Sequence, residues 1–305
     1  MTLPREKEKM LVIVGPTATG KSELAVSLAK KFNGEVISAD SRQVYHELDK
    51  GSGKITKIEM QGVPHHLLSI ADPKDTFTAA DFKRLAEKKI RGIVGRGKIP
   101  IIAGGTGFYI QALVDGIAFP EVGPDEDLRA KLETEPVEDL YEKLLKLDPK
   151  RAETIDSKNK RRLIRAIEIA KTIGSVPNAE TRASNYDPLF IGIDLPDAEL
   201  KEKIHERLIS RIENGMIEEV EKLHTEGLSW KRLEELGLEY RYVAEYLQKK
   251  LSRDKMLEKI ETESWLYVKR QRTWFRRDRR ITWFDPKQKE DVENKVDAFL
   301  AHKKK

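Results

Sequence analysis

The chain has 305 residues, 39% of them apolar and 36% charged, which is the composition of a globular protein rich in charged helix. It contains no cysteine, which excludes disulfides, thiolate-held zinc and cysteine nucleophiles, and no apolar run approaches the ~20 residues that a membrane span needs. The net charge of +5 and the isoelectric point near 9.0 weakly favour a nucleic-acid partner, although many basic enzymes share them.

Short apolar strands alternate with amphipathic helices along much of the chain. Residues 21–32 have helical apolar spacing that ends at Asn33-Gly34, and Thr78 opens a further helix with Asp81 as its capping-box partner. The predicted strands cover residues 10–14, 35–38, 99–103, 190–194 and 281–284. Strands separated by long helices predict a parallel sheet with helices on both faces.

The strand signal vanishes from about residue 117 to residue 186, where short charged helices replace it. We interpret residues 117–186 as a small all-helical insertion domain. The insertion divides one α/β core, which comprises residues 1–116 and 187–305. After residue 194 the core is again helical and charged, and it ends in a basic helical region.

Residues 15–22 read Gly-Pro-Thr-Ala-Thr-Gly-Lys-Ser and match the phosphate-loop (P-loop) pattern G-x-x-x-x-G-K-[ST], between a predicted strand and a predicted helix. Backbone N–H groups and the helix N-terminus would face a polyphosphate, while Lys21 adds a charge and the Ser22 hydroxyl reaches Mg²⁺. The expected phosphate-binding residues are Gly15, Pro16, Thr17, Ala18, Thr19, Gly20, Lys21 and Ser22. The predicted fold class is therefore α/β, with a P-loop parallel-sheet core.

Hydrolytic P-loop proteins usually carry an Asp at a strand end to hold Mg²⁺, but here the strand over residues 99–103 ends in Gly-Gly-Thr-Gly, residues 104–107. The carboxylate at a strand end is instead Asp40. Ligands of open α/β sheets bind at the carboxyl ends of strands, so Asp40, Thr106 and the P-loop should share one crevice. Asp40 is a candidate general base, and a role as a cap for the next segment remains an equal alternative.

Two basic clusters stand out from a chain of modest net charge. Seven of the twelve residues from 269 to 280 are Lys or Arg, interleaved with Trp274 and Phe275, and a second cluster covers residues 158–165. Cations neutralise phosphates, and aromatic rings stack on the unpaired bases of RNA loops. A single charged run is usually a solvated helix face, but the two clusters together favour RNA binding.

A series of short motifs from about residue 10 to residue 277 is similar, in type and order, to the motifs of one enzyme family. They lie at residues 15–22, 38–45, 64–67, 72–73, 81–82, 96–100, 104–110, 159, 162, 165–168 and 269–275. On these residues the chain resembles the tRNA dimethylallyltransferases, also called tRNA isopentenyltransferases. Eukaryotic members of this family carry a zinc finger, which needs cysteine. The chain contains no cysteine and in this respect resembles the bacterial members.

The resemblance implies transfer of a dimethylallyl group from dimethylallyl diphosphate to the exocyclic amine (N6) of the adenosine 3′ of the anticodon in tRNA. The products are N6-isopentenyladenosine and diphosphate, and the implied cofactor is Mg²⁺. It further implies that Asp40 takes the proton of the amine, that Thr17 lies between the leaving oxygen and Asp40, and that Arg207 binds the diphosphate. Thr106 completes the implied catalytic set.

The resemblance also implies a set of RNA contacts and partners. The residues expected to contact the anticodon stem-loop are Asp40, Ser41, Arg42, Gln43, Thr106, Arg129, Asn159, Arg162, Arg165, Lys269, Arg270, Arg272, Trp274 and Arg276. The expected partners are tRNA and dimethylallyl diphosphate. Since residues 1–10 are charged and lack the apolar stretch of a secretory signal, and since the chain has no cysteine, we expect a cytoplasmic location without membrane association. We also expect a monomer.

Three segments depart from the family's pattern. The family often has Met where Arg211 stands. Its Gly-Tyr-Lys-Glu segment reads Gly-Leu-Glu-Tyr at residues 237–240, and residues 51–54 read Gly-Ser-Gly-Lys instead of a commoner Gly-Thr-Ala-Lys. None of these changes falls in the P-loop sequence, at Asp40 or at Thr106.

Three other functions remain open from the residues. A P-loop small-molecule kinase would turn over a nucleoside triphosphate and would have no use for the basic C-terminal helix. An adenylate prenyltransferase would act on a free adenine nucleotide, and it would lack the charged insertion and the basic tail. A non-catalytic RNA-binding module would leave the P-loop, Asp40 and residues 104–107 unexplained.

Overall fold

The computed structural model describes residues 7–177 and 185–302. Within them the chain forms two compact units. An α/β unit contains residues up to Asp115 and the described residues from 185 onward, and a helical unit begins at Gly116. The two units are described separately below.

The first part of the α/β unit alternates strands and helices in the predicted order. Its elements are β1 (Glu8–Val14), α1 (Lys21–Lys31), β2 (Gly34–Ser38), α2 (Lys57–Met60), β3 (His65–His66), α3 (Ala79–Gly95), β4 (Ile99–Gly104) and α4 (Gly107–Val114). The capping box predicted at the start of α3 is confirmed, because Thr78 and Asp81 exchange their side-chain and backbone hydrogen bonds. The two-residue strand β3 was not predicted.

The helical unit contains four short helices and, within its described residues, no strand. These are α5 (Glu126–Glu133), α6 (Val137–Leu147), α7 (Pro149–Thr154) and α8 (Lys160–Ile173). Leu163 and Ile167 of α8 pack with Leu140 and Leu144 of α6 in a core that is separate from those of the α/β unit. Burying each such side chain contributes roughly 1.5–3 kcal/mol, which gives this small unit a core of its own.

The second part of the α/β unit is mostly helical. Its elements are β5 (Tyr186–Ile193), α9 (Asp197–Glu213), α10 (Met216–Thr225), α11 (Trp230–Glu235), α12 (Leu238–Leu247), α13 (Arg253–Phe275), β6 (Thr282–Phe284) and α14 (Lys289–Ala301). The strand β5 begins four residues before the predicted start at Phe190, because Tyr186 to Leu189 pair with β1 despite their polar residues and Pro188. Among the described residues, no helix combines the length and apolarity needed to cross a membrane.

The six strands form one sheet in the order β3-β2-β4-β1-β5-β6, and every neighbouring pair is parallel. Alternate residues of β1 face opposite sides: Val12 packs in a cluster with Phe82 of α3, whereas Leu11 and Ile13 pack with Leu24 of α1. Helices thus cover both faces of a parallel sheet. The predicted α/β fold class is confirmed.

The strand register brings three loops to one edge of the sheet. Val14, the last residue of β1, pairs with Gly104 of β4, and Ser38, the last residue of β2, pairs with Ala103. The P-loop, the segment after Ser38 and the Gly-rich segment after β4 therefore leave the sheet side by side, at the carboxyl edge where ligands bind in this class of fold.

Candidate active site

The P-loop is shaped by two glycines and by internal hydrogen bonds. Gly15 has φ +145°, and a Cβ built on it would lie 2.1 Å from the carbonyl oxygen of Ile193, so only glycine fits against the end of β5. Thr19 Oγ1 donates to the carbonyl oxygen of Pro16 at 2.9 Å, and Lys21 Nζ donates to the same oxygen. Gly20 precedes α1 without a side-chain cap, which leaves the first N–H groups of the helix for an anion.

Lys21 lies in a setting that disfavours its positive charge. Burial and, to a smaller extent, the nearby Arg207 lower the pKa of Lys21 from 10.5 to about 7, while Asp40 and Asp194 oppose the shift. An anion that binds the P-loop would favour the charged form. The pKa of Lys21 thus indicates a site whose electrostatic complement is an anionic ligand.

Gln271 of α13 joins the P-loop to the Gly-rich segment after β4. Its Oε1 accepts from the backbone N–H of Thr17 at 3.0 Å, and its Nε2 donates to the carbonyl oxygen of Gly105 at 3.1 Å. A Cβ at Gly105 would lie 2.3 Å from Nε2 of Gln271, and one at Gly107 would meet the ring of Trp274 at 2.2 Å. The small residues of this segment thus let α13 approach closely.

Asp40 caps a turn and lies next to Thr106. Its Oδ1 accepts from the backbone N–H groups of Arg42 at 2.8 Å and Gln43 at 3.2 Å. The Thr106 hydroxyl accepts from the backbone N–H of Ser41 at 3.0 Å, and the Thr106 N–H donates to the carbonyl oxygen of Ala39. Oδ1 of Asp40 therefore has the capping role that was the alternative to a general base. Neither of these bonds uses Oδ2, which leaves that oxygen for a substrate proton.

Arg207 enters the crevice from α9. It lines a small cavity together with Thr17 and Ala18 of the P-loop; the other lining residues are Ile204, Leu208, Arg211, Glu239, Ile260 and Ser264. Burial and the neighbouring Arg211 lower the pKa of Arg207 from 12.5 to about 10, with Glu239, Glu59 and Asp40 opposing. The structure thus brings the predicted Thr17, Asp40, Thr106 and Arg207 to one edge of the sheet.

The predicted RNA contacts after β2 also have structural partners. Gln43 accepts from the Ser38 hydroxyl at 3.2 Å and donates to the carbonyl oxygen of Gly53 at 3.2 Å. The side chain of Arg42 lies beside Gly237, since a Cβ there would be 3.5 Å from its Nε. Of these side chains, Gln43 is thus tied into the loop, whereas Ser41 and Arg42 are half-buried at its surface.

The four predicted RNA contacts of the helical unit differ in whether their side chains already have partners within the protein. The guanidinium of Arg129 pairs with buried Glu168 at 2.9 Å, and Arg165 pairs with the same carboxylate and with the carbonyl oxygen of Val122. The Asn159 side chain caps α8 by accepting from the N–H of Arg162. The side chain of Arg162 itself is exposed.

The predicted RNA contacts on α13 likewise comprise side chains with partners within the protein and exposed side chains. Arg272 is 11% exposed and is bound to Asp194 at 2.9 Å, to Asp197 at 2.6 Å and to the carbonyl oxygen of Leu195. Trp274 packs against Gly107 and, edge to face, against Phe108. The remaining predicted residues are exposed: Lys269, Arg270 and Arg276.

Sequence reasoning missed several residues of the crevice. Gln271 lies within the motif at residues 269–275 but was not predicted to contact the P-loop, and Tyr267 was not among the predicted site residues. Burial and the nearby Asp40 raise the pKa of Tyr267 to about 12, so its hydroxyl remains protonated at neutral pH. The spacing of 267, 271 and 274 along one helical face is the signal that could have found them.

Fold and site together define the chain as a P-loop α/β enzyme with an anion-binding crevice at the carboxyl edge of its sheet. Residues 43–278 match the family model described as IPP transferase. The chain belongs to this family.

The chain is also similar to proteins with names that refer to tRNA, over most of their length. The tRNA dimethylallyltransferase of Bacillus pumilus is 38% identical over 99% of this chain and 98% of its own length. The crystal structure of a tRNA isopentenylpyrophosphate transferase from Bacillus halodurans superposes with a TM-score of 0.74 at 38% identity, over 96% of this chain and 97% of that one. A eukaryotic dimethylallyltransferase acting on tRNA superposes with a TM-score of 0.84 at 26% identity, over 96% of this chain and 80% of that one.

Proposed function

We propose that this chain transfers a dimethylallyl group from dimethylallyl diphosphate to N6 of the adenosine 3′ of the anticodon in tRNA. The observation that carries the proposal is one crevice in which the carboxylate of Asp40 accompanies a P-loop and Arg207. Such a site can hold a diphosphate leaving group and accept one proton. Membership of the IPP transferase family and the names of the relatives support it.

The donor's diphosphate is held by the P-loop. Its oxygens accept from the loop amides and the first N–H groups of α1, while Lys21 and Arg207 supply positive charge. As the bond between the allyl carbon and the bridging oxygen breaks, its electron pair stays on the diphosphate. These cations stabilise the charge that develops there.

The acceptor adenine presents its amine to Asp40. The amine nitrogen forms a bond to the allyl carbon, and its proton passes to Oδ2 of Asp40. The two bonds that Oδ1 accepts from Arg42 and Gln43 fix the orientation of the carboxylate. The Thr106 hydroxyl holds the same loop through the Ser41 amide, which keeps the base in register with the P-loop.

The residues present fit a Mg²⁺ ion that is held mainly by the substrate. Ser22 lies on the exposed first turn of α1, beside Lys21, and its hydroxyl is the protein ligand that this P-loop pattern offers. Within the described residues, no group of three or more His, Asp or Glu side chains has metal-binding spacing. Mg²⁺ commonly takes such a mixed set, with diphosphate oxygens and water completing it. When bound, the ion adds charge stabilisation to the leaving group.

The anticodon stem-loop of tRNA is the proposed partner, in a cytoplasmic enzyme that acts as a monomer. Exposed Arg162 on α8 and exposed Lys269, Arg270 and Arg276 on α13 are available for phosphates. Arg129, Arg165 and Arg272 are already bound to carboxylates, so we assign them to the framework that presents the exposed cations.

The test is incubation with dimethylallyl diphosphate, Mg²⁺ and unmodified tRNA, followed by mass analysis of the nucleosides. We expect isopentenyladenosine in the anticodon loop and release of diphosphate. Prenylation of free adenine nucleotides but not of tRNA would favour an adenylate prenyltransferase. Turnover of ATP on a small acceptor, without prenylated adenosine, would favour a kinase and reject the proposal.

A further inference from the structure

Arg207 and Arg211 lie four residues apart on α9, so their side chains project from the same face of the helix. Both line the cavity that contains Thr17 and Ala18 of the P-loop. The two guanidinium groups converge on Gly53: a Cβ built there would lie 2.1 Å from Nη2 of Arg211 and 3.0 Å from Nη2 of Arg207. Arg211 is therefore a neighbour of the P-loop, although it lies almost 200 residues away in sequence.

Arg211 is held in place by two long hydrogen bonds. Its Nη1 donates to Oε1 of Glu239 at 3.2 Å and to the carbonyl oxygen of Gly51 at 3.3 Å. Both distances exceed the usual optimum for a charged pair. A guanidinium has five N–H donors, and within residues 7–177 and 185–302 the other nitrogens of Arg211 have no acceptor. Most of its donors remain available to a ligand.

The charges around Arg211 favour an anion at this point. Arg211 repels Arg207 and contributes to the lowered pKa of that residue, an effect second to burial. Burial raises the pKa of Glu239, and the charge of Arg211 opposes that shift. An anion that contacts Arg207 and Arg211 together would reduce the repulsion among these two arginines and Lys21.

The residues at positions 53 and 239 both accommodate the side chain of Arg211. A Cβ at position 53 would overlap the guanidinium of Arg211, and a Lys at position 239 would repel it. These residues are therefore a matched set that accommodates one additional cation next to the P-loop.

We propose that Arg211 is a second arginine of the donor site, which binds the diphosphate together with Arg207 and which Glu239 holds until the diphosphate arrives. This rests on the proposed function, since it assigns the ligand as the diphosphate of the prenyl donor. On binding, the guanidinium exchanges its long contact with Glu239 for charge-assisted hydrogen bonds to a phosphate oxygen.

The test is calorimetric titration with inorganic diphosphate. Arg211→Met should weaken binding roughly tenfold, the effect of one charge-assisted hydrogen bond. Glu239→Gln should tighten binding by about threefold, because it removes the competing carboxylate. The double variant should bind like Arg211→Met alone, because Glu239 acts through Arg211. Lys203→Met removes the same charge from an exposed position of α9 and should change the affinity less than twofold.

A purely structural role for Arg211 predicts different results. In that case Arg211→Met and Glu239→Gln lower the melting temperature but leave the diphosphate affinity unchanged, and that outcome overturns the inference. Weaker binding by Glu239→Gln overturns it as well. If Arg211→Met does not fold, Arg211→Lys keeps the charge and should show an intermediate loss of affinity.

The two proposals fail in different ways. Wild-type protein that prenylates tRNA and binds diphosphate, beside an Arg211→Met variant of equal affinity, rejects the role of Arg211 alone. Wild-type protein that neither binds diphosphate nor forms isopentenyladenosine rejects the proposed function and the inference together.

Discussion

The two ends of strand β2 carry charge in opposite ways. Near the amino end, the carboxylate of Glu35 is 4% exposed and is contacted by His66 at 2.7 Å, Arg96 at 2.6 Å and Lys98 at 3.0 Å. Burial by itself raises the pKa of Glu35, but the hydrogen bonds from Arg96, His66 and Lys98 outweigh it and lower the pKa to about 2. This anion is fully matched within the protein.

Beyond the carboxyl end of β2 the balance is reversed. The pKa values of Lys21 and Arg207 are both lowered. Burial is the largest cause for each, followed by the charge of Arg207 for Lys21 and the charge of Arg211 for Arg207. Asp40 opposes these shifts but does not cancel them. The comparison indicates that a charge paired within the protein stabilises the fold, whereas like charges that repel one another indicate a binding site for an oppositely charged ligand.

The sharpest test of this contrast is Asp40→Asn. The amide oxygen still caps the turn of Arg42 and Gln43, but the group no longer accepts a proton. We expect the rate of prenyl transfer to fall roughly 10²- to 10⁴-fold, with tRNA affinity and melting temperature nearly unchanged. Single-turnover kinetics and a filter-binding titration measure both quantities. A fully active variant would show that Asp40 is not the base.

Glu35→Gln should have the opposite profile. We expect the free energy of unfolding to drop by about 2 kcal/mol at pH 7, because Arg96, Lys98 and His66 lose a buried anionic partner, while catalysis in the folded protein is retained. Since the folded pKa near 2 lies below the ordinary 4.5, this contribution is present above pH 4.5 and is lost as the pH falls toward 2. Urea denaturation of both proteins across this range measures it.

An exposed ion pair provides the control for that measurement. Glu293 pairs with Lys31 at 2.7 Å on the surface, and Glu293→Gln should cost less than about 0.5 kcal/mol. Equal losses for the Glu35 and Glu293 variants would contradict the contrast between a matched internal charge and a surface pair.

Gln271→Ala tests how the loops at the carboxyl edge of the sheet are held together. The change removes the partner of the Thr17 N–H and of the Gly105 carbonyl oxygen, so the P-loop and the segment after β4 lose their connection. We expect the rate of prenyl transfer to fall roughly tenfold through mispositioning. Steady-state kinetics should show the loss mainly in kcat. A loss in tRNA affinity alone would indicate that Gln271 contacts RNA instead.

The smallest expected effect separates two arginines of α13. Arg276→Met should weaken tRNA binding about threefold and reduce the salt dependence of binding by roughly one counterion, without changing the melting temperature. Arg272→Met should instead destabilise the fold by about 1–2 kcal/mol, because Asp194 and Asp197 lose their partner. Binding titrations at several salt concentrations, beside thermal melts, distinguish the two. The reverse result would assign Arg272 to the RNA surface.

Local patterns predicted most of the sheet. The strands β1, β2, β4 and β6 and the helices α1 and α3 lie within two residues of their predicted bounds, because each is a short apolar run or a capped amphipathic segment. The strand β3 has only two residues, His65 and His66, which is too short for a periodic signal. The extra length of β5 depends on pairing with β1, which no local pattern contains.

The site was predictable where it is contiguous in sequence. The P-loop carries its own motif, and the strand-end rule placed Asp40 and Thr106 beside it. The contacts of Gln271 and Arg211 join segments more than 100 residues apart, so only the folded chain shows them. The same holds for Arg129: the resemblance implied a contact with RNA, but no sequence pattern shows that the buried carboxylate of Glu168 binds it.

Helix α13 contacts the P-loop from one side and carries exposed cations on the other, so its residues must keep their register. Tyr267, Gln271 and Trp274 follow one another along its inner side over about 10 Å, while exposed cations alternate with them on the outer side. One inserted residue would rotate everything beyond it by about 100° and exchange the two sides. Substitutions on the outer side leave the register of Tyr267, Gln271 and Trp274 intact, whereas an insertion or deletion between residues 267 and 274 would disrupt it.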